Sequence, residues 1–124
     1  MNKHPGDITI RTLAMPADTN PNGDIFGGWI VSQMDLAAGV LAKRTSKGRA
    51  ATVAIESMSF LRPVAVGDLI CCYATLVKVG KTSMTIDVEV WNEKLATGQT
   101  HQVTKGTFIF VAIDDNGKPR EVSK

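Results

Sequence analysis

The sequence has little of what secreted, disulfide-stabilised or nucleic-acid-binding proteins use. Its 124 residues include only two cysteines, Cys71 and Cys72, which are adjacent and would point to opposite faces of a strand. This pattern supports neither a disulfide framework nor a metal site, and it fits a reducing cytoplasm. The net charge is only +2, from 14 basic and 12 acidic residues, so charge alone indicates neither nucleic acid nor an anionic membrane as a partner.

Long apolar segments are also scarce. The N-terminal residues MNKHPGD contain no apolar stretch of the kind found in signal peptides. Only residues 25–42, IFGGWIVSQMDLAAGVLA, approach the length of a membrane span, and the Asp, the Gln and the minimal length argue against one. We expect a soluble cytoplasmic protein with a single domain over residues 1–124 and frayed tails at 1–6 and 118–124.

The apolar segment 25–42 predicts a buried helix, because a surface helix needs a solvated face and only Ser32, Gln33 and Asp35 are polar here. At 100° per residue, Asp35 shares a narrow face of small residues with Gly28, Ser32 and Gly39. A separate apolar stripe comprises Phe26, Ile30, Met34, Ala37 and Leu41. A charge in such surroundings is costly, so Asp35 has either a functional role or a place in a hydrogen-bonded packing seam.

The residues at both ends of this segment are typical of helix termini. Asp24 stands where an N-cap belongs, with Ile25 as the first helical residue or nearly so, and Gly48 can take the left-handed position at the C-terminus. Gly27 and Gly28 leave the amides of the first turn sterically open, which suits a carbonyl oxygen that gains negative charge. Glycine pairs are common at helix starts, so this pattern alone has low specificity.

Five segments read as strands. Residues 7–15 precede the helix, and residues 51–61, 69–79, 84–94 and 101–113 follow it with short turns between them. Since no helix connects the last four segments, the sheet must be mostly antiparallel. The predicted fold is α+β, with an antiparallel sheet of about five to six strands wrapped around one long central helix.

The spacing within the helix has a consequence for any active site. Asp35 lies seven residues beyond Gly28, which is about 10 Å along the axis at 1.5 Å per residue. One reacting carbonyl cannot contact both groups. We therefore predict a site shared in a symmetric dimer, with the helix start from one protomer and Asp35 from the other.

Three segments closely resemble the hot-dog-fold acyl-CoA thioesterases, particularly the small bacterial YciA-like enzymes: NPNGDIFGGWIVSQMDLAAGVLAKR, VAIESMSFLRPVAVGDLI and VKVGKTSMTIDVEVW. The resemblance extends from about residue 11 to residue 115. It implies the hot-dog fold, homodimers formed by edge pairing, and in many members a homohexamer of three dimers. It also implies hydrolysis of an acyl-CoA to a fatty acid and CoA, with no metal and no cofactor beyond the CoA of the substrate.

The resemblance further implies roles for individual residues. Asp35 matches the family's acid on the central helix, a general base or a nucleophile. Asp24 matches a polar residue before the glycine pair that many relatives carry as Asn, so its role stays open between orienting water and capping the helix. Gly27 and Gly28 match the amides that bind the oxyanion. Contacts to CoA are implied for a strand end and a turn, with these candidates: Arg62, Gly80, Lys81, Thr82 and Ser83.

The chemistry of a thioester agrees with such a simple set of residues. Its carbonyl is electrophilic and a thiolate leaves readily, so one base and two amides suffice without a catalytic triad. Because the base must be ionised, we expect Asp35 to be only partly buried.

Two alternatives remain open at this point. A hot-dog hydratase or dehydratase needs a His paired with a carboxylate, but His4 lies in the loose N-terminus and His101 lies on a strand far from the helix in sequence. A non-catalytic acyl-CoA-binding module would be expected to carry an output domain, for which 124 residues leave no room.

Overall fold

A computed structural model of the chain describes residues 6–123. It contains one long helix and one sheet, in the order β1 (Asp7–Leu13), a 3-10 turn (Pro16–Asp18), α1 (Gly27–Ser46), β2 (Ala50–Phe60), β3 (Leu69–Val79), β4 (Ser83–Glu93) and β5 (Thr100–Ala112). The strands lie in the order β1-β3-β4-β5-β2, and every neighbouring pair is antiparallel. The predicted α+β architecture is confirmed, and each strand boundary lies within two residues of its prediction.

The core forms between α1 and one face of the sheet. On β4 the alternating residues Met84, Ile86, Val88 and Val90 are fully buried, as the period-two pattern predicts. The facing side of α1 is lined by small and apolar residues: Ile30, Met34, Ala37, Ala38 and Ala42. The alanines let the helix lie close to the sheet.

The helix is not buried on every side, contrary to our expectation. Leu36 is 57% exposed and Phe26 is 58% exposed, because one sheet covers only one side of a helix. None of the helices within residues 6–123 is long and apolar enough to cross a membrane.

The two ends of α1 also differ from their predictions. The helix begins at Gly27 rather than Ile25, and the N-cap is Phe26 rather than Asp24. The reason is tertiary: Ile25 bridges to Thr19 and its N–H donates to Val64 O. Phe26, whose N–H donates to Asp18 O, has an extended backbone with ψ 129°, so the helix can begin only after it. At the C-terminus the left-handed residue is Lys47, with φ 56°, rather than Gly48.

The segment after β5 is packed, although its sequence suggested a frayed tail. Val122 is 5% exposed and belongs to the core, and its N–H donates to Lys81 O at 2.9 Å. The Arg120 guanidinium donates to Ser46 O at 3.1 Å, at the C-terminal end of α1. Of the residues predicted to fray, 1–5 and 124 lie outside the described range.

Candidate active site

Asp35 lies at the middle of α1 and faces the start of β2. Its carboxylate Oδ1 accepts a hydrogen bond from Thr52 Oγ1 at 2.5 Å, and Oδ2 has no hydrogen-bond partner among residues 6–123. The side chain is half-buried, as expected for a base that must stay ionised. A packing seam would bond both oxygens, so this geometry favours a functional role.

A cavity of about 300 Å³ opens beside this carboxylate. Residues of α1, β1, β2 and β5 form its wall, and most of them are apolar. Besides Asp35, they are Ile10, Leu36, Gly39, Val40, Lys43, Ala50, Thr52 and Phe110. A side chain added at Gly39 would begin 3.7 Å from the Phe110 ring, so the glycine keeps this stretch of the wall open. Asp35 is therefore reachable by an apolar substrate.

The start of α1 offers free backbone donors. The amides of Gly27 and Gly28 have no backbone acceptor within the described residues, whereas those of Trp29 and Ile30 turn back to Phe26 O. A side chain at Gly28 would meet no other atom within 4 Å. Two adjacent N–H groups at the positive end of a helix can stabilise an oxyanion.

A second cavity, of about 310 Å³, lies at this helix start. It brings together three of the residues singled out in the sequence, Asp24, Gly27 and Arg62, and its remaining lining consists of Asn20, Ile25, Ile30, Phe60, Leu61, Pro63 and Val64. Within the described chain, no residue lines both this cavity and the one beside Asp35.

Asn20 organises the loop that leads to the helix, and sequence reasoning missed it. Its side-chain Oδ1 accepts the N–H groups of Asn22 at 2.9 Å and Asp24 at 3.2 Å, and its own N–H donates to Asp24 O at 2.7 Å. An asparagine that bonds the backbone two residues on is typical of such turns, so the NPNGD pattern was the available signal. The Asp24 side chain is exposed at the cavity rim.

Comparison with known proteins agrees with this geometry. Residues 22–99 match the family model described as the thioesterase superfamily. The chain belongs to the thioesterase superfamily. It is 58% identical over 118 residues to the acyl-CoA thioester hydrolase YciA of Salmonella typhimurium. The aligned residues cover 93% of this chain and 89% of that protein.

Solved structures extend the similarity to the fold. A hexameric thioesterase from Yersinia pestis is 54% identical with a TM-score of 0.91, over 94% of each chain. An acyl-CoA hydrolase from Staphylococcus aureus, solved with butyryl coenzyme A, is 27% identical with a TM-score of 0.83, over 90% of this chain and 68% of that one. Membership of the superfamily confirms the resemblance inferred from the three sequence segments.

In this thioesterase-superfamily chain the turn at residues 80–83 lies far from Arg62. Thr82 O accepts the N–H of Ala112, and Lys81 contacts the C-terminal segment through Val122 and a 3.9 Å ion pair with Glu121. The turn is thus near the C-terminal end of α1, whereas Arg62 lies at the N-terminal end. One chain therefore does not bring these two candidate CoA-binding elements together.

Two other residues of this superfamily member that could act as a base or a nucleophile, His101 and Cys72, lie away from both cavities. His101 lies on β5 opposite Asn92 and lines neither cavity, and His4 lies outside the described residues. Burial raises the pKa of Cys72 to about 12, so it is a neutral core thiol and not a nucleophile.

Proposed function

We propose that this protein hydrolyses acyl-CoA thioesters to CoA and a free carboxylic acid. The observation that carries the proposal is the half-buried Asp35 carboxylate, which has one free oxygen beside an apolar cavity in a member of the thioesterase superfamily. The names of its relatives support the substrate class, since they include acyl-CoA thioester hydrolase and acyl-CoA hydrolase.

Two routes are compatible with this carboxylate. As a base, Asp35 takes a proton from water while the water oxygen attacks the thioester carbon; the C–S bond then breaks and the proton passes to sulfur. As a nucleophile, the carboxylate attacks the carbon itself, the C–S bond breaks and CoA leaves as a thiolate that takes up a proton; water then hydrolyses the resulting mixed anhydride, which releases the acid and restores the Asp35 carboxylate. In both routes the amides of Gly27 and Gly28 stabilise the oxyanion.

The two halves of this machinery meet across the edge of β2. β2 lies at one end of the sheet, and β5 is its only strand partner among residues 6–123, so its other edge is open. It carries the exposed side chains Val53 and Ile55. The start of β2 bonds Asp35 through Thr52, and its end lines the cavity at the helix start through Phe60. Antiparallel pairing of two β2 edges about a twofold axis brings the helix start of one protomer beside Asp35 of the partner subunit.

Asn20 joins the proposed site on two grounds. It lines the cavity at the helix start, and its side chain holds the loop there through two hydrogen bonds. Asp24 lines the same cavity, but its exposed side chain does not hold the loop. In addition, two solved mutants of the Staphylococcus aureus hydrolase replace an asparagine and an aspartate that are fifteen residues apart, the same separation as Asn20 and Asp35. We assign Asp24 the lesser role of orienting water at the rim.

The same pairing suggests how CoA is held. Arg62 lies at the helix start of one protomer, and antiparallel pairing carries the turn at residues 80–83 of the partner subunit toward that side. We propose that both contact the phosphates or the pantetheine arm of CoA. We further propose a homodimer at least, acting in the cytoplasm with no cofactor besides the CoA of its substrate. Because the Yersinia pestis relative is hexameric, we propose that three such dimers assemble into a hexamer.

Release of free thiol from acetyl-, butyryl- and palmitoyl-CoA tests the function. We expect turnover of at least one of these substrates, measured with a thiol-reactive chromophore. An enoyl-CoA should not be hydrated. Hydration of the enoyl-CoA without thiol release would replace the proposal by a hydratase, and tight binding without either reaction would replace it by a binding module.

A further inference from the structure

We propose that Thr52 is a positioning residue for the reaction: its hydroxyl holds Asp35 Oδ1 and leaves Oδ2 as the oxygen that reacts. The inference rests on the proposed hydrolysis and adds which carboxylate oxygen does the chemistry and what fixes it. Thr52 was not among the residues that the sequence singled out.

The contact between the two side chains is short and has only one direction. A carboxylate can only accept, so the Thr52 hydroxyl is the donor in the 2.5 Å bond to Asp35 Oδ1. Such a length is typical of a charge-assisted O–H···O⁻ bond, about twice as strong as a neutral one. The bond therefore restricts the rotation of the carboxylate.

The backbone of β2 aims this hydroxyl. The pairing of β2 with β5 shifts register between Thr52 and Ala54, so Val53 is an extra residue in the strand. Bulges of this kind re-aim a side chain and are common beside active sites. Here Thr52 is half-buried toward α1, while Val53 is 58% exposed.

Among the described residues, Thr52 is the only side chain that forms a hydrogen bond with the Asp35 carboxylate. Among the described residues that line the cavity, Lys43 is the only other charged group; it lies on α1 itself, two turns beyond Asp35. The linings from β1, β2 and β5 contribute no titratable side chain. Loss of the Thr52 hydroxyl would therefore free the carboxylate to rotate.

Thr9 supplies a matched control. Its Oγ1 donates to Ala37 O at 3.0 Å, so it also joins a strand to α1, two residues from Asp35, without touching the carboxylate. The replacements Thr52→Val and Thr9→Val each remove one hydroxyl and keep the β-branched shape. Thr52→Ser keeps the donor and removes only a methyl group.

The experiment compares these variants by kcat, KM and thermal unfolding, beside the natural chain and Asp35→Asn. For Thr52→Val we expect kcat to fall by about ten- to a hundredfold with KM changed by less than about threefold. Thr52→Ser should keep kcat within about threefold, and Thr9→Val should change only Tm.

Two results would overturn the role of Thr52: a Thr52→Val enzyme with the natural kcat, or equal losses of kcat in Thr52→Val and Thr52→Ser. Should Thr52→Val not fold, Thr52→Ala removes the same donor with less volume and is judged by the same criteria. If the natural chain itself releases no thiol, the proposed function fails instead, so the two failures are distinguishable.

Discussion

At the scale of single residues, two carboxylates in this chain contrast in a way that separates structure from chemistry. Asp68 is 3% exposed, and its oxygens accept hydrogen bonds from the Ala65 N–H, Asn92 Nδ2 and Lys94 Nζ. Asp35 has one hydrogen bond and a cavity beside its second oxygen. A fully bonded acid stabilises the fold, whereas a partly bonded one is available to a substrate.

Replacement of Asp35 tests its role directly. We expect Asp35→Asn to lower kcat by about a hundredfold or more, because the amide can neither take a proton nor attack the thioester. The measurement is thiol release, with gel filtration to show that the oligomer is intact. Asp87→Asn is the control, since Asp87 is exposed on β4 and bonds Thr107 instead. A fully active Asp35→Asn enzyme would remove the proposed base and nucleophile together.

Asp35 was predictable from the sequence because it is the only charged residue in the apolar segment 25–42. Thr52 was not, because its importance arises from a contact with a residue 17 positions away that only the fold brings near. Asn20 lay between these cases: its turn pattern was visible, but the cavity it lines was not.

At the scale of secondary-structure elements, the strands were predictable and the helix ends were not. Alternating apolar residues and turn clusters located every strand to within two residues. The helix start depended instead on hydrogen bonds from Ile25 to Val64 and from Phe26 to Asp18, which join segments distant in sequence. A local N-cap signal at Asp24 could not anticipate them.

The Asp68 network links the turn before β3 to the end of β4, and it makes stability depend on pH. Burial alone would raise the pKa of Asp68, but the hydrogen bonds from Lys94, Ala65 and Asn92 outweigh it and hold the pKa below its ordinary 3.8. A lowered folded-state pKa gives stability that is present above the ordinary value and lost as the pH falls through the folded one.

We therefore expect Asp68→Asn to reduce the free energy of unfolding by about 2 kcal/mol near pH 7. Partial exposure of Lys94 keeps the effect from being larger. Urea unfolding across pH should show the difference from the natural chain shrinking below about pH 4. A difference that stays constant down to about pH 2 would mean that the charge of Asp68 contributes nothing.

At the scale of the whole molecule, we propose that one chain supplies half of a reaction centre. The amides at the helix start and the Asp35 carboxylate lie in separate cavities of about 310 and 300 Å³. Their separation along the helix predicted a shared site from the sequence alone. The sequence did not indicate which edge would pair; we propose the open edge of β2, because Asp35 is bonded at its start and the other cavity lies at its end.

Mixed protomers give the most direct measurement of the shared site. One protomer carries Asp35→Asn, and the other carries Gly28→Leu, which blocks the helix start at a position with open space around it. Each homodimer should be inactive. Random pairing should restore about a quarter of the natural activity, because half of the dimers are mixed and each has one complete site. A mixture as inactive as its parents, with mixed dimers shown to be present, would contradict a site built from two protomers.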